Sequence, residues 1–381
     1  MSVNFLIIEL EPTHYKTDLW NAFVDSGRAD ITVVYTERRN WSPDAGHNYN
    51  RFPISRYQSV VLEGRGPLGV LRSSLKVLGR LWAESHDLIY IAGYVHLQTV
   101  FAILYASIAG KRFVVHADVF NTQKPCGRFG FFKWLVRQVL RRLVFAQAEA
   151  VLVCGLRGIN SALEAGCPRN KVLNFPYSIS LSRIHADQPE IVPTPCLDDL
   201  KAGRTIVFFS GRMIQRKGLS TLLESLSTLA SEVGWTLWIE GDGPELMSNV
   251  ALVDELGLSG RCRFLGFCQY DVHSWLVRSA DIVVVPSFED SWGIVVDEGL
   301  QLGKAVVSTY STGSAVDRIE DGKHGFIIAA GDSEALADRL RLLLRDRPLR
   351  NRFGEAAKSN PGNIRPEDNV ITLMKLMKIN E

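Results

Sequence analysis

Two guanidinium groups and one ammonium group stand where an apolar, β-branched run ends. Thr205–Ser210 is followed by Gly211-Arg212-Met-Ile-Gln-Arg216-Lys217-Gly218, and a helical pattern with Leu219, Leu222, Leu223 and Leu226 comes next. In parallel α/β sheets, ligands bind at the carboxyl ends of strands, where glycine admits close backbone approach and helix N-termini favour anions. Three cations there suit a diphosphate, although a solvated basic turn would use the same residues. The P-loop pattern is absent. The next strand candidate ends in Glu240-Gly241-Asp242-Gly243-Pro244, which lacks the third glycine of a dinucleotide fingerprint and does not support an NAD site. A third strand candidate, Ile282–Val285, breaks into Pro286-Ser287-Phe288-Glu289-Asp290-Ser291-Trp292-Gly293-Ile294, and a helix is expected from near Gly293 to Gly303. Amides at Gly293 and Ile294 could take a phosphate oxygen. Glu298, more than a turn into that helix, could accept from a pair of ribose hydroxyls. A capped helix with surface acids, Asp290 or Ser291 being the cap, is the plainer alternative.

Elements that would position these groups run through the whole chain. Short apolar runs alternate with helical patterns, the signature of parallel sheets with crossover helices. The candidates are Phe5–Glu9, Ile31–Tyr35, Leu88–Ile91, Arg112–His116, Ala150–Val153 and Val172–Phe175 in the first half. Thr205–Ser210, Thr236–Glu240, Arg263–Leu265, Ile282–Val285, Ala305–Ser308 and Gly325–Ile328 follow in the second. A length of 381 residues suits two doubly wound Rossmann-like domains facing a cleft. Three prolines between positions 189 and 195 suit an interdomain linker. The expected division is residues 1–185, a linker at 186–200, a second domain at 201–360, and a C-terminal helix within 361–381 that could cross back to the first domain.

Composition is that of an ordinary globular protein, 46% hydrophobic and 22% charged with a formal net charge of +2, and it gives no sign of nucleic-acid binding. Six scattered cysteines, Cys126, Cys154, Cys167, Cys196, Cys262 and Cys268, show no zinc-site spacing and read as reduced and mostly buried. The N-terminus reads as a first strand, not a signal peptide. Residues 88–110 carry no charged side chain, but Gly93, His96, Gln98 and Thr99 interrupt them, so a buried strand and helix are expected in place of a membrane span.

Taken in order, the G-R-x4-K-G run, the G-x-G turn, Pro286-Ser287 and Asp290 followed by seven residues and Glu298 resemble the retaining glycosyltransferases of the GT-B fold, in the large family that includes bacterial mannosyl- and glucosyltransferases. The similarity covers about residues 205–330. It implies that Arg212 and Lys217, with Gly211, hold a donor diphosphate, Glu298 the ribose, and Gly241, Gly243, Ser291, Trp292, Gly293 and Ile294 the surrounding donor pocket. Phe267 would sit beside the base, and Asp290 would take the sugar hydroxyls. The family has a glutamate at that place. Here the first acid at the matching spacing is the shorter Asp290, with Glu289 one residue early, so either could face the sugar. In the first half, His116 at a strand end is similar to a histidine the family places near the donor sugar, with a satisfied core histidine as the alternative. Asp118 and His14 are acceptor-side candidates, although the loop after the first strand lacks the glycine pair often found there.

The resemblance thus implies transfer of a sugar from a UDP- or GDP-linked donor to a glycan or lipid-linked oligosaccharide acceptor, with no cofactor and, in the absence of a D-x-D motif, no essential metal. Arg128 to Val144 contains five basic residues and no acid, with Lys133, Arg137 and Arg141 on one helical face. Such a helix could lie on an anionic membrane or pack on the sheet, and the expected location is the cytoplasm, with the inner face of the membrane as an option. Two rivals share the fold: a nucleotide-sugar epimerase, and a binder without turnover.

Overall fold

A computed structural model describes residues 3–36, 55–62, 66–120, 128–185, 189–232, 234–360, 362 and 364–378. The chain forms two compact units, Met1–Ser178 with Ile364–Glu381, and Ile179–Asn363.

In the first unit the elements are β1 Val3–Glu9, α1 His14–Asp25, β2 Ala29–Tyr35, β3 Gln58–Val61, α2 Gly66–Ala83, β4 Leu88–Ala92 and α3 Leu97–Ile108. They continue with β5 Phe113–His116, α4 Arg128–Gln147, β6 Ala150–Val153, α5 Gly155–Glu164 and β7 Val172–Asn174. Seven parallel strands lie in the order β3-β2-β1-β4-β5-β6-β7. Both faces of the central strands β1, β4, β5 and β6 are covered, which is why their residues are almost uniformly apolar and not alternating. One face packs Leu6, Ile8, Ile89 and Ile91 against Val77 and Leu81 of α2, Ala102, Ile103 and Ala106 of α3, and Val144 and Phe145 of α4.

The second unit runs α6 Leu181–His185, α7 Thr194–Lys201, β8 Thr205–Ser210, α8 Leu219–Ser227, β9 Trp235–Glu240, α9 Leu246–Glu255, β10 Cys262–Gly266 and α10 Tyr270–Ser279. Then come β11 Ile282–Val285, α11 Ile294–Gln301, β12 Ala305–Thr309, α12 Gly313–Arg318, β13 Gly325–Ile328, α13 Ser333–Arg345 and α14 Arg347–Lys358. Its six parallel strands are ordered β10-β9-β8-β11-β12-β13. The last helix, α15 Pro366–Met377, returns to the first unit. Its Val370, Leu373, Met374 and Met377 join Phe5, Ile7 and Trp20 on the sheet face opposite α2 to α4.

The stretch expected as a linker is partly a helix. Pro195 lies in the first turn of α7, where its missing N–H costs nothing, and the buried Asp199 accepts from Trp238 and Arg263, both at 3.1 Å. Residues 186–188 of the expected linker and Cys126 lie outside the described residues, as do the side chains of residues 128–130. The other five cysteines are unpaired thiols, four of them buried. Residues 88–110 form β4 and α3, and among the described residues no helix is long and apolar enough to cross a membrane.

Candidate active site

In the second sheet the strand order reverses direction between β8 and β11, and a crevice at such a switch point is where open α/β sheets bind ligands. The loops leaving these two strands are joined by their backbones: Phe288 N–H donates to the Arg216 carbonyl at 2.8 Å, and the Arg216 guanidinium donates to the Glu289 carbonyl at 3.0 Å. Gly218, at φ 71°, passes so close to β11 that a Cβ would run into the Pro286 carbonyl oxygen. Backbone bonds from Gly211 to Glu240, from Met213 to Asp242 and from Gly241 to Gly266 tie in the loops after β9 and β10. The loop segments Gly211–Gly218 and Gly241–Gly243, and the loop that begins at Phe267, therefore stand on one laced rim.

Within that rim the Lys217 ammonium donates to the Asp290 carboxylate, both side chains being largely covered. The structure thus places Asp290, not the exposed Glu289, against the lysine. Neither Asp290 nor Ser291 caps α11, because its N-cap is Gly293 at φ 86° with no side-chain hydrogen bond. In the first turn of α11 the amides of Ile294 and Val295 precede any intrahelical acceptor, and Val296 N–H donates to the Gly293 carbonyl at 3.0 Å. The turn before α11 is held from behind by α12: Ser314 Oγ donates to the carbonyls of Trp292 and Gly293, at 2.6 and 2.8 Å, and Gly313 N–H donates to that of Asp290. Trp292 is buried, donates to Asp297 at 2.7 Å and lies 5.3 Å beneath the Arg318 guanidinium. It anchors this turn in the core, a different place from the donor pocket the resemblance implies.

Glu298 is only 1% exposed. Its Oε2 lies 2.9 Å from Nε2 of His273 on α10, whose Nδ1 lies 2.6 Å from Oε2 of Glu240, and Tyr270 faces the other Glu298 oxygen at 3.5 Å. Burial alone would lower the His273 pKa, but the two carboxylates overcome it and hold it well above the usual imidazole range. Neither His273 nor Glu240 is singled out by sequence reasoning. Both lie within apolar helical or strand patterns, and no spacing signal connects them.

The first unit carries a second polar cluster at strand carboxyl ends. His116 closes β5 with Nδ1 2.6 Å from the Tyr90 hydroxyl and Nε2 3.5 Å from Cys154 Sγ, and burial together with the charge of Lys16 lowers its pKa to about 3. It is a neutral imidazole with both nitrogens occupied, so contact with a sugar hydroxyl requires it to exchange the Cys154 thiol. Asp118 accepts from Tyr177 at 2.6 Å, Tyr177 packs on Tyr15 at 4.5 Å, and His14 meets Tyr15 edge-on at 5.2 Å. Glu9, fully buried at the end of β1, accepts from Lys16, an ion pair that sequence reasoning did not identify. Among the described residues, His116, Asp118 and Cys154 alone bring three metal-ligand-type atoms within 4.8 Å of one another. Burial foremost, with the Asp118 charge, holds the Cys154 thiol far from ionising.

Comparison with known proteins bears on the second unit above all. Residues 198–360 match the family model described as "Glycosyl transferases group 1". The lipopolysaccharide core biosynthesis glycosyltransferase LpsE of Rhizobium meliloti is 36% identical over 157 residues, 41% of this chain and 44% of that protein. The phosphatidyl-myo-inositol mannosyltransferase of Mycobacterium leprae is 32% identical over 186 residues, 48% of this chain and 47% of the relative. The matches thus span about half the length of these curated relatives. Among solved structures, Anabaena HepE in complex with UDP and glucose superposes with a TM-score of 0.76 at 18% identity, covering 99% of both chains. The lipopolysaccharide glycosyltransferase WaaG gives 0.68 at 16% identity, over 97% of this chain and 99% of that one. Residues 198–360 therefore match the group 1 glycosyl transferases, within a chain that has the two-sheet GT-B fold throughout.

Proposed function

We propose that the protein is a retaining glycosyltransferase whose second unit binds a UDP- or GDP-sugar and whose acceptor, a glycan or lipid-linked oligosaccharide of envelope polysaccharide assembly, is met by the first. The observation that carries this reading is the meeting of Lys217 with Asp290 at the switch point, inside the region that matches the glycosyl transferase model. A cation beside outward-pointing amides suits a leaving diphosphate, whose developing charge is the main electrostatic demand of the transfer. Asp290 is engaged by Lys217 and Glu298 by His273, so neither is left as a base for attack with inversion. Incubation with UDP-, GDP- and ADP-sugars should release one nucleoside diphosphate slowly, and Glu298→Ala should abolish the release. Absence of binding to all three would overturn the reading, and an epimerised donor would favour the rival enzyme. The anomeric proton of a transferred sugar, read by NMR, tests retention.

The reading includes peripheral contact with an anionic membrane. Helix α4 exposes Phe131, Phe132, Leu135, Val136 and Val139 beside Lys133 and Arg137, and α2, on the same sheet face, exposes Leu68, Leu75 and Trp82 beside Arg72, Lys76 and Arg80. Residues 66–83, 97–108 and 128–147 contain no Asp or Glu at all. With about 1 kcal/mol contributed by each basic residue near the surface, a Lys133→Gln, Arg137→Gln double variant should bind phosphatidylglycerol vesicles about 30-fold more weakly in a sedimentation assay. Unchanged binding would remove the membrane from the reading.

A further inference from the structure

We propose that His273 is the positioning residue that makes this site read the ribose of its donor, by fixing the carboxylate of Glu298 between itself and Tyr270. The proposal rests on the functional reading above, with Glu298 as the ribose contact, and adds to it the residue that positions that contact.

Three elements converge here. Glu240 is the last residue of β9, His273 lies in the first turns of α10, and Glu298 lies in the middle of α11. All three side chains are buried, at 5, 8 and 1% exposure. An imidazole can satisfy two carboxylate oxygens on opposite sides only by donating from both nitrogens, so the ring is an imidazolium and carries the counter-charge of the pair. A neutral ring would set a lone pair against one of the two carboxylates. The ring itself is held by Tyr270, stacked at 5.7 Å with planes 29° apart, and by Phe208 at 6.1 Å. Geometry therefore passes from a fixed ring to Glu298 Oε2, and the second oxygen, Oε1, is left oriented at the edge where the Tyr270 hydroxyl lies 3.5 Å away. Two carboxylates share one cation, so the cluster keeps a net negative charge. A vicinal diol, which brings two O–H donors, is the donor fragment that matches it.

Calorimetric titration of wild type, His273→Gln and Tyr270→Phe tests this with the nucleoside diphosphate that wild type binds and with its 2′-deoxy counterpart. One hydrogen bond to a charged group accounts for about 10–100-fold, and that is the preference expected for the ribo form in wild type. Glutamine can donate toward only one carboxylate, so His273→Gln should bring the two ligands to within about twofold while leaving the affinity for the deoxy form near its wild-type value. Tyr270→Phe, which leaves both Glu298 and the ring in place, should narrow the preference part of the way and serves if His273→Gln does not fold. A ribose preference that survives both substitutions overturns the proposal, as does a wild type that binds both forms equally. If wild type binds no nucleoside diphosphate, the donor-site reading itself fails, and the two failures are told apart by that titration.

Discussion

In a Lys217→Met variant, turnover of the nucleotide sugar falls by about 10²–10³-fold, the effect typical of removing one preorganised group that stabilises developing charge, while the thermal midpoint moves little. The ammonium is delivered by a turn that cannot easily shift. Gln215–Lys217 is a single 3-10 turn, Gly218 takes a left-handed conformation against Pro286, and the Arg216 carbonyl is bound by Phe288 N–H. The partner of Lys217 is Asp290, and both side chains keep some contact with solvent, at 19 and 12% exposure. A screened pair of this kind contributes about 1 kcal/mol or less to folding, which is why the loss should appear in catalysis and not in stability. Lys217→Arg keeps the charge but replaces a compact ammonium by a planar fork, and recovers part of the rate. Single-turnover release of the nucleoside diphosphate, measured beside differential scanning calorimetry, checks both halves. A wild-type rate in Lys217→Met, or a rate loss matched by a collapse in midpoint, would show that the lysine is only a loop fastener.

How far this arrangement was legible in the sequence differs from residue to residue. Most of the candidate strands could be placed because parallel strands buried on both faces read as continuous apolar runs, and β11, Ile-Val-Val-Val, shows this most plainly. Arg263–Leu265 is recognisable only as the middle of β10, an edge strand that is half-buried along most of its length. β3, Gln58–Val61, escaped notice altogether because a four-residue edge strand exposed on three of its positions has no apolar face to display. The segment expected as a linker shows the opposite effect. Its prolines argue against regular structure on average, but Pro195 falls in the first turn of α7, where no intrahelical N–H bond is lost. At the site, Lys217 and Glu298 stood out through spacing along one chain segment. His273 did not, because its meaning comes from two carboxylates 33 and 25 residues distant that meet only once three strands have been ordered. Which of Glu289 and Asp290 meets Lys217 has the same character: it depends on which way the β11 loop turns, a property of the lacing to the β8 loop.

The last element that the sequence did not reveal carries the larger effect on stability. Arg318→Met should lower the unfolding free energy by about 3–5 kcal/mol at pH 8, the loss expected when one member of a buried ion pair is removed. Arg318 closes α12 and donates from Nε to Asp297 Oδ1 at 3.1 Å, while Trp292 donates to Oδ2, and the carboxylate is 2% exposed. Burial dominates over these two partners, so the Asp297 pKa is raised from 3.8 to about 6. The sign follows from proton linkage. The folded protein holds this proton more tightly than the unfolded chain, so folding stability is greatest below about pH 4 for this group and declines as pH rises through about 6. Without Arg318 the folded pKa climbs further, and the decline runs on to higher pH. The gap between wild type and Arg318→Met should therefore be widest at pH 8 and narrow at pH 5, where Asp297 is protonated and has no charge left to be paired. Urea unfolding at the two pH values reads this directly. A double variant, Arg318→Met with Asp297→Asn, keeps an acceptor for Trp292 and removes the buried charge, so it should regain much of the loss and flatten the pH dependence. A pH-independent deficit that the second substitution does not relieve would instead assign the effect to packing of Arg318 over the Trp292 ring. Because Trp292 and α12 hold the turn that carries Asp290 and Gly293, the same variant should also weaken nucleotide binding at pH 8 and recover it at pH 5, which links the buried ion pair to the site it supports.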